Sequence, residues 1–228
     1  EVQYHKNIDL INIELKNNNS LKHYYIKVKE EIDEYIDSIL DYPEMTIDEY
    51  IGPKSIYKKK SFTNHCIKIN IKQVNQINDY FHKSINNNNK IILIGEDIKD
   101  PYGGAFKVTK GLSDKFKNNV ISSPISEAAI VGMGIGLCLT GFKPYIEIMF
   151  GDFITYAFDQ IISNASKFYH MYNKQVDIPL VIRTPMGGGR GYGPTHSQSL
   201  EKFFIGMNNI QIIALNTLYN ANDVYEKI

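Results

Sequence analysis

One stretch of the sequence, residues 123–137, places a single ionisable side chain at the start of a long apolar, glycine-rich segment. Ser123 followed by Pro124 is typical of a helix cap with proline at the first helical position. The residues after Glu127 are apolar on every side, which predicts a buried helix, and their three glycines indicate that another backbone approaches closely. A buried glutamate needs a partner, because an unpaired charge away from water is costly. That partner is a ligand, a protein residue, or the start of its own helix.

The composition limits the class of protein. The 228 residues, 43% of them hydrophobic, are enough for one ordinary domain with an appendage or for two small ones. Lys and Arg together number 25, and so do Asp and Glu, so the formal net charge is zero. The charge balance therefore gives no support to binding of nucleic acid or of an anionic membrane. The two cysteines, Cys66 and Cys138, lie far apart and predict reduced thiols of an intracellular protein, cytoplasmic or in an organelle matrix. The polar start and the absence of an initiator Met indicate a piece of a longer chain.

The first 57 residues read as a charged helical tail, and residues 58–66 as a basic linker. Within the tail, Val28, Ile32 and Ile36 belong to an apolar stripe at helical spacing, with charged residues on the opposite face. Such a helix cannot bury its stripe alone, so we expect it to pack on another part of the protein.

From residue 67 onward the pattern changes to alternating strands and helices. The predicted strands are 90–95, 142–150, 178–183 and 210–214, and the predicted helices include 74–85 and 154–169. This alternation predicts an α/β domain, in which a parallel sheet carries helices on both faces. Ligands of such sheets bind beyond the carboxyl ends of the strands. There the sequence has Glu96-Asp97, a segment from Met149 to Phe153, and the start of a glycine-rich loop.

Five motifs then occur in a fixed order. They are Gly-Glu-Asp at 95–97, Tyr-Gly-Gly-Ala-Phe-Lys-Val-Thr-Lys-Gly-Leu at 102–112, Ser-Glu-Ala-Ala-Ile-Val-Gly at 126–132, Phe-Asp-Gln-Ile at 158–161 and Thr-His-Ser-Gln-Ser at 195–199. The set resembles the pyrimidine-binding domain of the β subunit of thiamine-diphosphate-dependent 2-oxoacid dehydrogenases, over residues 67–228. Residues 41–44 and the following turn resemble the C-terminal tail of the α subunit in the same family, which implies a fused α/β chain.

The resemblance implies roles for four residues. Glu127 matches the glutamate that hydrogen-bonds a ring nitrogen of the aminopyrimidine and so promotes removal of the thiazolium proton. Burial would raise the pKa of this glutamate, whereas the helix N-terminus would lower it. Met149 and Phe153 match positions that line the pyrimidine ring, although such residues are ordinarily core. His196 matches a histidine at the active-site channel that handles the substrate carboxylate and the lipoyl acceptor.

The family's diphosphate and Mg²⁺ motif, Gly-Asp-Gly followed by a distant asparagine, does not occur in the sequence, since Gly151-Asp152 continues with Phe153. The resemblance places that motif on an α-type diphosphate-binding domain. It further implies a homodimer or an α2β2-like assembly that delivers an acyl group to the lipoyl domain of an acyltransferase. We therefore expect this segment alone to be inactive, and no metal site within it.

Three alternatives remain. Acetoin dehydrogenase is the nearest enzyme, and other members of the transketolase superfamily, such as transketolase or deoxyxylulose-phosphate synthase, share the glutamate. The motifs at 102–112 and 195–199 fit the dehydrogenase β type better. A non-enzymatic assembly or regulatory module could retain the fold, but it would tolerate loss of Glu127, which is present.

Overall fold

The computed structural model describes residues 15–40 and 71–228. The chain divides into two compact units, Glu1–Ser55 and Ile56–Ile228. The predicted linker at 58–66, the α-subunit-like segment at 41–44 and Cys66 lie outside the described residues. The domain boundaries at 57 and 67 therefore stay predictions. No helix within residues 15–40 and 71–228 is long and apolar enough to cross a membrane.

The first unit contains helix α1, Asn19–Leu40, where the sequence predicts a charged helix. The side chain of Asn18 accepts a 3.1 Å hydrogen bond from the backbone N–H of Leu21, which satisfies one amide that the helix start leaves unpaired. Within the apolar stripe of α1, Ile32, Tyr35 and Ile36 are exposed and Val28 is half-buried.

Four parallel strands form one sheet in the second unit, in the order β2-β1-β3-β4. They are β1 (Ile91–Gly95), β2 (Val120–Ser122), β3 (Lys143–Glu147) and β4 (Val181–Arg183). Because every neighbouring pair is parallel, the carboxyl ends of all four strands meet at one edge. The predicted parallel α/β fold is confirmed.

Helices cover both faces of this sheet, in agreement with the prediction. The α-helices are α2 (Gln73–Asn87), α3 (Leu112–Lys115), α4 (Glu127–Leu139), α5 (Phe168–Met171) and α6 (Ala221–Lys227). One core lies where α2 and α6 pack together, and it includes Phe81, Tyr145 and Tyr225. The other lies between α4 and the sheet and includes Ile130 and Ile146. Burying such side chains contributes about 1.5–3 kcal/mol each.

The prediction of strands is wrong at two places. Residues 210–214 pair with no strand in the described part of the chain, although their apolar run is typical of one. The fourth strand is instead Val120–Ser122, which pairs with β1 at Leu93, Ile94 and Gly95. A strand exists only where a neighbour accepts its hydrogen bonds, and hydrophobic content alone does not supply that neighbour.

Helix α4 begins three residues later than predicted. Its first residue is Glu127, so Pro124 does not occupy the first turn and Ser123 is not the cap. The backbone N–H of Ser123 instead donates a 2.9 Å hydrogen bond to the carbonyl oxygen of Gly95. This contact keeps the chain beside β1 beyond the end of β2, and the helix starts only after it.

Burial of α4 is one-sided, which corrects the expectation of a helix buried all round. Ile130 and Val131 are buried, whereas Met133 and Leu139 are exposed. A close approach occurs at Gly134, where a Cβ would lie 2.9 Å from the side-chain ends of Ile146 and Leu180. The neighbours at this glycine are therefore side chains, not the backbone that we expected.

The helix predicted at 154–169 forms in three short pieces. A 3₁₀ helix, Gly151–Ala157, is followed by a π turn, Gln160–Ala165, and then by α5. Further 3₁₀ turns occur at Ala105–Lys107, Pro194–His196 and Glu201–Phe203. The helix Gly151–Ala157 packs against both α4 and the turn Pro194–His196, so it connects the segments that carry Glu127 and His196.

Candidate functional site

The strand order changes direction between β1 and β3, because the chain runs outward to β2 on one side and to β4 on the other. Sheets of this kind bind ligands in the crevice beyond the carboxyl ends at that point. β1 is followed there by Glu96, and β3 by the segment that leads into the 3₁₀ helix Gly151–Ala157. The predicted site residues Glu127, Met149, Phe153 and His196 are distributed around this edge.

Glu127 opens α4 with a buried side chain, of which 7% is exposed. No hydrogen bond or ion pair joins its carboxylate to any residue that the structure describes; the ion pairs in that part of the chain are Lys27 with Glu31 and Arg183 with Glu147. The carboxylate therefore does not cap its own helix, which removes that alternative. A buried carboxylate without a protein partner is costly, and a ligand that hydrogen-bonds it would remove this cost.

A second buried carboxyl group lies next to Glu127. Glu96 is 5% exposed, and its Oε1 accepts a 3.2 Å hydrogen bond from the backbone N–H of Ser126. Burial raises the pKa of Glu96 above its ordinary value, the charge of Glu127 raises it further, and the Ser126 amide lowers it. Two buried carboxyl groups therefore lie next to each other at the start of α4. The sequence showed Glu96 at a strand end but did not reveal this pairing.

Phe153 and His196 come together as the sequence predicts. Their ring centres are 5.2 Å apart in an edge-to-face arrangement. Phe150 completes a triangle of rings with them, its ring centre 4.8 Å from that of His196 and 6.1 Å from that of Phe153. Edge-to-face packing of this kind fixes ring orientation. Met149 lies half-buried just before Phe150, at the same edge of the sheet.

The His196 ring is oriented by its neighbour in the chain. The hydroxyl of Thr195 and Nδ1 of His196 are 2.8 Å apart and share a hydrogen bond. Nε2 has no hydrogen-bond partner among the described residues, and the imidazole is only half-buried. One ring nitrogen is therefore held by the protein, and the other remains able to exchange a proton with a ligand.

A buried carboxylate anchors the segment that follows His196. Oδ1 of Asp152 accepts a 2.8 Å hydrogen bond from the side-chain amide of Gln198, and Oδ2 accepts one of 3.4 Å from the Gln198 backbone. Asp152 is 8% exposed. The sequence analysis considered this aspartate only as a candidate metal-motif residue, and its position beside the Thr-His-Ser-Gln-Ser motif was not visible in the linear order.

The strand ends are also joined by a buried ion pair. Arg183 at the end of β4 donates a hydrogen bond from Nη1 to the carboxylate of Glu147 at the end of β3. Burial raises the pKa of Glu147 to about 7, although the Arg183 guanidinium acts in the opposite direction. In the described part of the chain, His, Cys, Asp and Glu side chains form no group of three that could hold a metal ion.

Comparisons with known proteins agree with this geometry. The sequence model of the family described as the transketolase pyrimidine-binding domain matches residues 70–228. Pyruvate dehydrogenase E1 component subunit beta-3, chloroplastic, of Arabidopsis thaliana is 46% identical over 132 residues, which cover 58% of this chain and 32% of that protein.

Two algal relatives carry the same description, pyruvate dehydrogenase E1 component subunit beta. The protein of Staurastrum punctulatum is 40% identical over 133 residues, covering 58% of this chain and 40% of its own length. The protein of Gracilaria tenuistipitata var. liui is 39% identical over 140 residues, which cover 61% of this chain and 43% of that protein. The chain thus spans about a third to two fifths of the length of these relatives. The predicted resemblance to β subunits is confirmed, whereas no comparison bears on the α-like tail.

Proposed function

Since the chain belongs to the transketolase pyrimidine-binding domain family, we propose that it supplies the pyrimidine-binding half of a thiamine-diphosphate-dependent 2-oxoacid dehydrogenase. The whole protein would decarboxylate a 2-oxoacid and transfer the acyl group to a lipoyl group. The observation that carries this proposal is the buried residue Glu127, whose side chain makes no hydrogen bond or ion pair with the described residues. The names of the relatives, pyruvate dehydrogenase E1 beta subunits, favour pyruvate as the 2-oxoacid.

The residues at the sheet edge fit the aminopyrimidine of the cofactor. Glu127 would share a proton with a ring nitrogen, and Glu96, whose pKa is raised by burial, lies next to it. Phe153 and Met149 would pack against the ring, since both are half-buried and apolar. When bound, thiamine diphosphate supplies the carbanion chemistry that releases CO₂. The chain contributes orientation, exclusion of water and one proton-sharing carboxyl group.

His196 would act on the substrate side of the site. Thr195 holds Nδ1, so that Nε2 can donate a proton to, or accept one from, the substrate carboxylate or the lipoyl acceptor. The rings of Phe150 and Phe153 exclude water on two sides of the imidazole. The identity of the partner group follows from the family resemblance, and the geometry supports it through the half-buried, singly held imidazole.

The diphosphate and its Mg²⁺ would be held by an α-type domain, on the same chain or on another. This chain has no Gly-Asp-Gly motif, so the segment alone is expected to be inactive. The assembly would be a homodimer or an α2β2-like tetramer that docks the lipoyl domain of an acyltransferase. Two relatives are named chloroplastic, which supports an organelle matrix over the cytosol as its compartment.

The test is exchange of the thiazolium C2 proton in the full-length protein assembled with its diphosphate-binding partner. We expect Glu127→Gln to slow this exchange by about 100-fold or more, because the proton-sharing carboxyl group is lost. Glu226→Gln, the same change at an exposed position on α6, is the matched control and should exchange normally. An unchanged rate in Glu127→Gln would refute the assignment.

A further inference from the structure

The glycines of the loop from Gly187 to Gly193 contribute almost no packing, whereas the Tyr192 ring packs 5.2 Å from that of Phe150. Gly187, Gly189, Gly191 and Gly193 have φ values of +90°, +77°, +79° and +76°. A Cβ on any of the four would meet no atom within 4 Å. These glycines are therefore needed for the left-handed backbone and not for close contact. Ordering such a backbone costs more conformational entropy than ordering any other residue type, so the loop needs explicit attachments.

Arg190, in the middle of the loop, provides two of these attachments. Its Nη2 donates a 2.6 Å hydrogen bond to the carbonyl oxygen of Gly187 and one of 3.0 Å to that of His196. The two carbonyls belong to opposite ends of the loop, and a single planar guanidinium joins them. Hydrogen bonds from a charged donor are about twice as strong as those between neutral groups.

The guanidinium is itself held in place by two rings. Its central carbon lies 5.6 Å from the ring centre of Phe106 and 5.7 Å from that of Phe150. Its Nε is buried and has no hydrogen-bond partner among the described residues. An arginine that served only solubility would keep this nitrogen in water. Phe106 comes from the segment after β1, so Arg190 connects three separate parts of the chain.

We propose that Arg190 is a positioning residue: it closes the glycine loop and thereby fixes the His196 imidazole against Phe150. Closing the loop also fixes the His196 ring, because the His196 carbonyl oxygen accepts one of the two Arg190 hydrogen bonds and Thr195 holds the ring at Nδ1. Arg190 acts through His196, so its effect on catalysis rests on the proposed function. The closure of the loop by Arg190 does not depend on the proposed function.

The test uses the full-length protein with its diphosphate-binding partner and two variants. Arg190→Met keeps the length of the side chain but removes the hydrogen bonds, and Arg190→Lys keeps the charge without the planar fork. The first readout is amide exchange in residues 187–198, where the Gly187 amide bonds Gln198 and the His196 amide bonds Gly193. We expect exchange about tenfold faster in Arg190→Met, with β1 unchanged, and an intermediate value in Arg190→Lys.

Lys202→Met is the matched control. The Nζ of Lys202 lies 5.2 Å from the ring centre of Phe203 on the Glu201–Phe203 turn. The variant therefore removes a positive charge from above an aromatic ring, as Arg190→Met does, but outside the glycine loop. Unchanged exchange in Arg190→Met would overturn the proposal. Wild-type exchange in Arg190→Lys would also overturn it, because charge alone would then suffice.

Steady-state kinetics separate positioning from direct substrate binding. A positioning role predicts that Arg190→Met lowers kcat about tenfold with KM unchanged, and that it moves the pH dependence attributed to His196. A raised KM with unchanged kcat would mean that Arg190 binds the substrate, and the proposal would fail. If His196→Ala leaves both steps of the reaction unaffected, the proposed function of His196 fails, while the exchange result still decides the role of Arg190.

Discussion

The side-chain amide of Gln198 donates a 2.8 Å hydrogen bond to Oδ1 of Asp152. The two residues are 46 positions apart, and their contact attaches the segment after His196 to the 3₁₀ helix that carries Phe153. It is a second attachment of the glycine-loop region, on the side opposite Arg190 in the chain order. The relative position of Phe153 and His196 therefore depends on a buried carboxylate that contacts neither ring.

We expect Asp152→Ala to lower the free energy of unfolding by about 1–3 kcal/mol, because the segment after His196 loses its hydrogen bonds to a buried charged acceptor. Urea denaturation monitored by circular dichroism measures this loss. Asp159→Ala, at an exposed position on the same stretch, should stay within about 0.5 kcal/mol of the wild type. Equal stability of the two variants would show that the Asp152–Gln198 contact does not stabilise the fold.

Gly134 and Gly136 form a matched pair on α4. A Cβ at Gly134 would lie 2.9 Å from Ile146 and Leu180, whereas one at Gly136 would meet nothing within 4 Å. Gly136→Ala should raise the free energy of unfolding by about 0.5–1 kcal/mol through backbone entropy. Gly134→Ala should be less favourable than Gly136→Ala by about 1 kcal/mol, because the side-chain ends of Ile146 and Leu180 must move to admit the Cβ. Thermal denaturation of both variants gives the comparison, and equal shifts in the two would contradict the packing of α4 on the sheet.

The Glu147–Arg183 pair should make stability depend on pH once the arginine is removed. Arg183→Met leaves a buried carboxylate uncompensated at pH 8, which we expect to cost about 1.4 kcal/mol beyond the loss at pH 5.5. Burial already raises the pKa of Glu147 to about 7, and loss of the guanidinium raises it further. A group with a raised folded-state pKa stabilises the fold below its unfolded-state pKa, and this stability is lost as pH rises through the folded-state value.

The deficit of Arg183→Met should therefore be small at pH 5.5, where Glu147 is protonated, and should grow towards pH 8. Urea denaturation at both values measures it. The double variant Arg183→Met/Glu147→Gln is the control. It cannot ionise at this position, so its own free energy of unfolding should lack the fall with pH that Glu147 causes in Arg183→Met. A deficit in Arg183→Met that is equally large at pH 5.5 would exclude the uncompensated carboxylate as its cause.

Much of the fold follows from sequence pattern. The alternation of apolar runs predicts the parallel sheet, and the lone ionisable residue at the start of an apolar helix predicts a buried Glu127, which the structure confirms. Local propensity misplaces boundaries where tertiary contacts decide. Ser123 and Pro124 look like a helix start, but the Ser123 amide bonds Gly95 and extends the chain. Residues 210–214 look like a strand and find no neighbour among the described strands.

The parts of the site that depend on a single residue could be predicted from the sequence. The parts that depend on contacts between residues distant in the chain could not. Glu127 and His196 stand out by residue type and motif. Phe150 does not, because a phenylalanine at a strand end is ordinarily core, and only the structure shows its ring against His196. The Asp152–Gln198 contact joins residues far apart in the chain, and periodicity carries no information about such pairs.

Between Met186 and Pro194 the chain has only two residues other than glycine, Arg190 and Tyr192. Arg190 bonds carbonyl oxygens on both sides of the loop, and the Tyr192 ring centre lies 5.2 Å from that of Phe150 and 6.3 Å from that of Phe106. Neither side chain can therefore change without disturbing a contact beside His196. Diversification of this rim would have to come from segments outside the loop.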